Sequence, residues 1–421
     1  MSQRSEEIIT DFIESGWESN PFEKTISLLK EQRDEALPLA LKVLNRLQDG
    51  GTFFDFLLSH LTEAEFEELI SSAVEGMENN SCSEATESVI AYASVQFPDL
   101  LAPHLRVIFS KNPNEGTYYE EWPWRSADDE EISILKKILS EDPDEGNRNK
   151  AWNCLVETHQ PESIEFASSH FSLKTDEGVE FEAYAHLAGF DISGQSPRLL
   201  HTNRAHHIIF PDNYFESADQ PQWMSHENHP TWNIENTNAM QSSFGGESPG
   251  VCGCCDGPLH RLLYLEKSDS ILGISFPQID LCSCLSCLGW EIPALFYVHD
   301  DSGSPTPFDI ETEKKTPEFP AKALRASTVS IVQSPARWVF QDWALSNSRE
   351  NLNRVGGKPS WIQDAQYPAC PKCSQLMLFI AQIDSNIPTI DNDEWLWGSG
   401  GICYIFWCDS CAISGNLWQC T

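Results

Sequence analysis

The sequence predicts an α+β protein: a helical N-terminal domain of α-solenoid, HEAT-like character, then a β-rich domain stapled at two places by cysteines. Three observations carry this. Up to about residue 174, apolar residues recur three and four apart, the period of an amphipathic helix. Beyond residue 196 that period gives way to short β-branched and aromatic runs between Gly- and Pro-rich breaks, the composition of strands and turns. Within those runs, eight of the 14 cysteines form four C-x-x-C pairs, the spacing at which two thiolates of one tight turn reach a single tetrahedral ion.

The helical domain is assigned to residues 1–195. Stretches 38–47, 64–77, 83–97, 132–139 and 147–157 carry the helical period, with breaks at Pro21, Pro98, Pro113, Pro143 and Pro161. In NKAWNCLVETHQPESIEFASSHF an amphipathic helix, a turn at Gln160-Pro161 and a second helix from Glu162 form a helical hairpin of the kind that HEAT-type arrays stack. No fixed repeat length emerges, so a helical bundle is the plainer alternative. Cys82 and Cys154 read as buried thiols.

Residues 196–300 hold the first β-rich segment. A strand from 206 to 210 ends before Pro211. His206 and His207 are adjacent and so point to opposite sides of it. His226-x-x-His229 lies in a Pro- and Asn-rich loop before Pro230 and does not form the H-E-x-x-H helix of a metal hydrolase. These histidines therefore read as packing and surface residues rather than an active site. Cys252-x-x-Cys255 and Cys284-x-x-Cys287 follow, 28 residues apart, flanking apolar strands such as 259–265.

Residues 301–322 are polar and Pro-rich and read as an exposed connection. Residues 323–421 then repeat the pattern. Stretches 323–332 and 337–340 look strand-like, and Cys370-x-x-Cys373 and Cys408-x-x-Cys411 stand 34 residues apart around strands at 377–384 and 402–407. Gly245-Gly246 precedes the first knuckle as Gly356-Gly357 precedes the other, and each second knuckle has an aromatic strand beside it. This parallel implies an internal duplication of two zinc-ribbon-like units. Each would hold one structural Zn²⁺ with four thiolates and no open position: Cys252, Cys255, Cys284 and Cys287 in the first, Cys370, Cys373, Cys408 and Cys411 in the second. Spacing alone prefers Cys252 over Cys254. Cys282 is a further extra, Cys403 reads as a core thiol, and Cys420 as a spare or exchangeable ligand. The acidic loop of Asp391, Asp393 and Glu394 lacks the glycine and ligand spacing of a calcium loop.

The runs GGKPSWIQ, CPKC, FIAQID, WGSGG, YIFWC and the closing WQCT resemble the C-terminal part of the YwqG-like family of bacterial proteins, over about 65 residues. That resemblance implies a domain without known chemistry, some members being suspected immunity proteins of toxin loci. The order G-G-x-P-x-W, C-x-x-C, apolar strand ending in Gln also resembles, more loosely, the zinc domains of the programmed-cell-death-2 family. This second resemblance implies an escort for a ribosomal protein.

Charge narrows the function classes. The 64 acidic and 27 basic side chains give −37, and residues 1–200 hold 39 of the acids against 15 bases. Such a field repels nucleic-acid phosphates and anionic lipid and attracts basic partners. The start of the chain has neither a basic nor an apolar leader region, and no run approaches a membrane span. The expected location is cytoplasmic, where paired cysteines favour metal over disulfides. No Walker loop, G-x-G-x-x-G, G-x-S-x-G or H-E-x-x-H occurs. The expectation is a non-enzymatic, acidic protein-binding module with a basic protein partner, either an immunity protein or a ribosomal-protein escort. A hydrolase with an unrecognised active site is the remaining alternative.

Overall fold

The computed structural model describes residues 3–47, 50–81, 83–111, 122–170, 176–215, 239–308, 314, 316–344, 346 and 350–421. His226, His229 and Cys82 lie outside them. The fold is α+β. Eleven α-helices occupy the described residues between 3 and 188, ahead of a twelve-stranded sheet.

Local chemistry sets the helix ends. Thr62 and Ser83 start helices Glu63–Glu78 and Glu84–Gln96 with reciprocal capping boxes to Glu65 and Thr86, satisfying N–H groups that a helix start leaves without partners. Pro21 and Pro161 occupy the first position of helices Pro21–Glu31 and Pro161–Ser168, where a missing N–H costs nothing. Helix Asp176–Ala188 carries the helical architecture past residue 174. The apolar stripes bury into two successive cores, one around Ile9, Leu39, Phe54, Leu69 and Val89, the next around Leu105, Leu135, Leu155, Ile164 and Phe181.

The sheet strands, in chain order, are β1 (Thr202–Ile209), β2 (Met240–Phe244), β3 (Glu247–Val251), β4 (Pro258–Glu266), β5 (Gln278–Ser283), β6 (Leu295–His299), β7 (Pro305–Pro307), β8 (Ser327–Gln333), β9 (Arg354–Gly357), β10 (Leu378–Asp384), β11 (Ile402–Cys408) and β12 (Ile413–Gln419). They run in the order β3-β4-β2-β8-β1-β9-β10-β11-β12-β6-β7, with β5 on the far side of β4. The two cysteine units are therefore not separate ribbons. β1, from the first unit, pairs with β9 of the second, and β8, from the second, pairs with β2 of the first. β1 and β8 meet antiparallel, Ile331 opposite Ile208 and Val332 opposite His207. Each unit lends its first strand to the other about a pseudo-twofold between β1 and β8. A further cross-unit pairing, β6 with β12, follows the same pattern.

The sheet curls almost into a barrel. The Asp280 N–H donates to the Gly303 carbonyl (3.0 Å), and Asn416 Nδ2 donates to the Cys282 carbonyl (2.6 Å), which brings β5 towards the β6–β7 turn and β12. That turn and strand β7 fall in the segment read as an exposed connection. β11 shows why both faces are buried. Cys403, Ile405 and Trp407 enter the barrel core with Ile208, Leu263 and Ile380, while Ile402, Tyr404 and Phe406 pack outside with Trp361, Met377 and Leu200. Strand alternation serves two cores. Residues 337–340 are not a strand. They belong to the 3₁₀ turn Ala336–Phe340, because Pro335 ends the extended run and the Trp338 N–H closes back on the Pro335 carbonyl.

Helices and sheet meet at a buried polar seam. Tyr92 Oη donates to Glu350 (2.8 Å), and Gln341 Nε2 donates to the same carboxylate (3.0 Å). Gln341 Oε1 lies 3.1 Å from His207 Nε2, and His207 Nδ1 lies 2.5 Å from Ser334 Oγ. Beside it, Arg125 pairs with buried Glu157 (2.7 Å) and stacks 4.3 Å over Phe340. Burial alone would raise the Glu157 carboxyl, but Arg125 and Lys358 outweigh it and hold the pKa down to about 2.

His201 and His207 are 2% and 0% exposed, and burial first, with cationic neighbours such as Arg354 after it, lowers each imidazole to about 3. Below the unfolded value of about 6.5 the unfolded chain binds protons that the folded chain excludes. The stability these residues confer is complete above that pH and is lost as pH falls toward 3, by about 1.4 kcal/mol per pH unit for each. Each of these two histidines will contribute a loss of about 2 kcal/mol to urea unfolding between pH 6.5 and 5, and His207→Gln will remove one such contribution from the pH profile. A His207→Gln profile parallel to that of the parent over this range would contradict it.

Candidate metal centres

Both first knuckles are the same backbone device. In one, the Cys252 N–H donates to the Gly257 carbonyl (2.8 Å) and the Asp256 N–H returns to the Cys252 carbonyl (3.1 Å). In the other, the Cys370 N–H donates to Gln375 and the Ser374 N–H to Cys370, both at 2.8 Å. Asp256 and Ser374, each four residues after the first cysteine, take the left-handed conformation (φ 56° and 62°) that lets the turn close. The second knuckles start where β5 and β11 end. Leu288 N–H bonds the Cys284 carbonyl (3.0 Å), and Cys411 N–H bonds the Cys408 carbonyl (3.3 Å).

These turns bring Cys252, Cys255, Cys284 and Cys287 into one cluster and Cys370, Cys373, Cys408 and Cys411 into another, the four sulfurs of each within 4.8 Å of one another. Cys255 and Cys284 sulfurs stand 3.7 Å apart and those of Cys373 and Cys408 3.6 Å. Four thiolates at tetrahedral Zn–S distances of 2.3 Å would stand about 3.8 Å apart. Each set could hold one metal ion, and the donor set fits it.

The electrostatics point the same way. Four thiols this close cannot all ionise without a cation between them. Cys252 is held below the usual thiol range, foremost by its hydrogen bond with Cys284, while that same contact and burial push Cys284 up. The backbone N–H of Gln375 is the largest influence lowering Cys373, to about 7, and burial pushes Cys408 up to about 12. A divalent ion would relieve this conflict, since ligating sulfur is deprotonated outright.

The first centre is the more enclosed. Cys252, Cys284 and Cys287 are buried and Cys255 half-buried, whereas Cys373 is exposed and Cys411 half-buried. Backbone amides serve the sulfurs directly: Cys254 N–H bonds Cys252 Sγ and Gly257 N–H bonds Cys255 Sγ, both at 3.3 Å. Cys254 thus supports Cys252 through its backbone. Tyr297, whose hydroxyl accepts the Cys284 N–H (3.0 Å), is a supporting residue that spacing does not reveal; its only signal is the aromatic strand beside the knuckle.

The remaining candidates sit elsewhere. Cys403 is fully buried in β11 and pushed up by burial, and Cys282 is buried in β5 opposite Arg261. Cys420 packs against Gly398. His206 and His207 are buried in β1. Asp391 and Asp393 are both paired with Lys322.

No protein-family model matches this chain, and no solved structure matches it. Among curated proteins, it is 26% identical over 188 residues to the "Uncharacterized protein YpfL" of Salmonella typhimurium, covering 40% of this chain and 39% of that protein. The chain thus spans well under half the length of that relative, whose name carries no activity.

Proposed function

We propose that the chain is a zinc-stabilised, non-enzymatic binding module for a basic protein partner, and is itself an immunity protein of the YwqG-like kind against a basic toxin. The observation that carries this reading is the pair of closed four-thiol clusters. A metal with four protein ligands has no position left for substrate, so it contributes folding energy and activates nothing. The net charge of −37 supplies the attraction, fast association and salt sensitivity expected for a basic partner. Among the described residues no helix is long and apolar enough to cross a membrane. The resemblance to the programmed-cell-death-2 zinc domains favours a second reading, escort of a basic ribosomal protein.

The test is affinity capture from the source cell at low salt, repeated at about 0.5 M, where screening reaches well inside 8 Å. A basic protein released between the two conditions, and rebinding after purification, is the expected result; its identity chooses between toxin and ribosomal client. Retention of nucleic acid, or turnover of a retained small molecule, would overturn the reading.

A further inference from the structure

The seam between helices and sheet gathers positive charge in a chain that is otherwise strongly acidic. Arg125, Arg354 and Lys358 share it with two carboxylates, buried Glu157 and half-buried Asp342. The imidazoles beside them add no charge at neutral pH, because burial above all holds His159 to about 4 and His201 to about 3. Three cations against two carboxylates leave one positive charge over. Glu157 answers Arg125, and neutral oxygens surround Arg354. The surplus therefore falls on Lys358.

Two donors at this place lack acceptors. Arg125 gives Nε and Nη2 to Glu157 Oε2 (3.0 and 2.7 Å), and its Nη1 is buried without a hydrogen-bond partner. Lys358 is 2% exposed, and among the described residues no acceptor stands within hydrogen-bond reach of its ammonium. Both cations stand on one indole, Arg125 Cζ 5.3 Å and Lys358 Nζ 5.7 Å from the Trp122 ring centroid, and Phe340 packs 4.3 Å from the same guanidinium. The Lys358 N–H donates to the Val339 carbonyl (2.7 Å), which fixes the lysine beside the turn Ala336–Phe340. The cysteine unit itself does not call for this residue. At the matching place after its glycine pair the first unit carries Glu247, which is exposed.

An ammonium in a dry interior is costly without a counter-charge, and burial lowers the Lys358 amine although Glu157 opposes the shift. A carboxylate matches the surplus of one charge and accepts charge-assisted hydrogen bonds from guanidinium and ammonium alike. A phosphate group, at about −1.5 to −2, would overshoot it, and a neutral ligand would leave it standing.

We infer that Arg125 Nη1 and Lys358 Nζ bind the carboxylate of a small organic acid at the seam, between Trp122 and Phe340. This site is independent of the binding-module reading above.

The probe is acetate, added to the full metal-loaded chain purified in carboxylate-free buffer, with sodium chloride of equal ionic strength, acetamide and inorganic phosphate as comparisons. Acetate is expected to raise the urea midpoint until the effect saturates, acetamide to leave it unchanged, and phosphate to act no more than chloride does. Carbon-13 acetate should show a bound NMR resonance. Lys358→Met, which removes the unanswered charge, is expected to unfold at a higher urea concentration than the parent in chloride and to lose both the acetate response and the bound resonance. Arg125→Lys should weaken acetate binding about tenfold. A parent that responds to acetate no more than to chloride overturns the site, as does phosphate that binds equally well. A Lys358→Met protein less stable than the parent, with its acetate response intact, would make Lys358 a mere counter-ion of Glu157 and overturn it too. Should that variant not fold, the labelled acetate decides on the parent alone, and absence of a bound resonance overturns the proposal.

Discussion

Stripping metal from either cysteine cluster is expected to melt the whole sheet in one transition and leave the helices largely folded. The purified chain should carry two zinc ions, and each closed four-thiolate site contributes on the order of 10 kcal/mol of folding energy. That exceeds the 5–15 kcal/mol margin of most domains once both are lost. The strand exchange makes the loss shared. β1 is held between β8 and β9, and β8 between β1 and β2, so unravelling one unit removes a paired strand from the other. Chelation followed by far-ultraviolet dichroism and tryptophan fluorescence should show the sheet signal lost in a single step while helical ellipticity persists. Cys408→Ser should cost most of that stability. Cys403→Ser, a buried thiol outside the clusters, should cost about 1–3 kcal/mol. Fewer than one zinc per chain in anaerobic preparations, or two separate sheet transitions with one zinc released in each, would count against this account.

The parts of this architecture legible in the sequence are those encoded locally. A knuckle is a four-residue event, so C-x-x-C spacing named all eight clustered cysteines and preferred Cys252 over Cys254, the choice the geometry also makes. The apolar stripe of helix Glu63–Glu78 lies within a few turns of chain, and the helical period exposed it, whereas the capping boxes at Thr62 and Ser83 came only with the structure. Pairing is different. Ile208 and Ile331 face each other across β1 and β8, but no local pattern says which strand of which unit will do so; the duplication suggested two ribbons side by side, and the sheet interleaves them. Residues 337–340 looked strand-like from their side chains, yet Pro335 in front of the turn Ala336–Phe340 decided the backbone. Nor does composition show that Arg125, Glu157 and Phe340, 215 residues apart at the extremes, form one seat.

Arg354 is where a single substitution outside the clusters should do most harm. Its side chain is 0% exposed, in β9 opposite His207 of β1 and Gln382 of β10, next to the pseudo-twofold. Its guanidinium donates to the carbonyls of Trp338 (3.1 Å), Val339 (3.2 Å) and Lys358, to Ser360 Oγ (3.1 Å) and to Gln382 Oε1 (3.2 Å). None of these acceptors is a carboxylate. Burial therefore dominates its titration and lowers it to about 9, so the residue stays charged at neutral pH because neutral oxygens surround it. Five acceptors from three stretches of chain converge on one donor group. Arg354→Met keeps much of the volume but strips five hydrogen bonds from a dry interior, leaving Trp338, Val339 and Gln382 only their backbone donors from Gln341, Lys358 and Ser360, which should cost about 3–5 kcal/mol. Arg354→Lys should recover little, because an ammonium cannot reproduce a planar fork with five donors. Gly357 fits the same arrangement: at φ 73° it lies so near that a Cβ would stand 2.4 Å from Nη1, and Gly357→Ala should displace the guanidinium. Urea midpoints of zinc-replete protein check all three variants, and an Arg354→Met protein within about 1 kcal/mol of the parent would show that the acceptors find water instead.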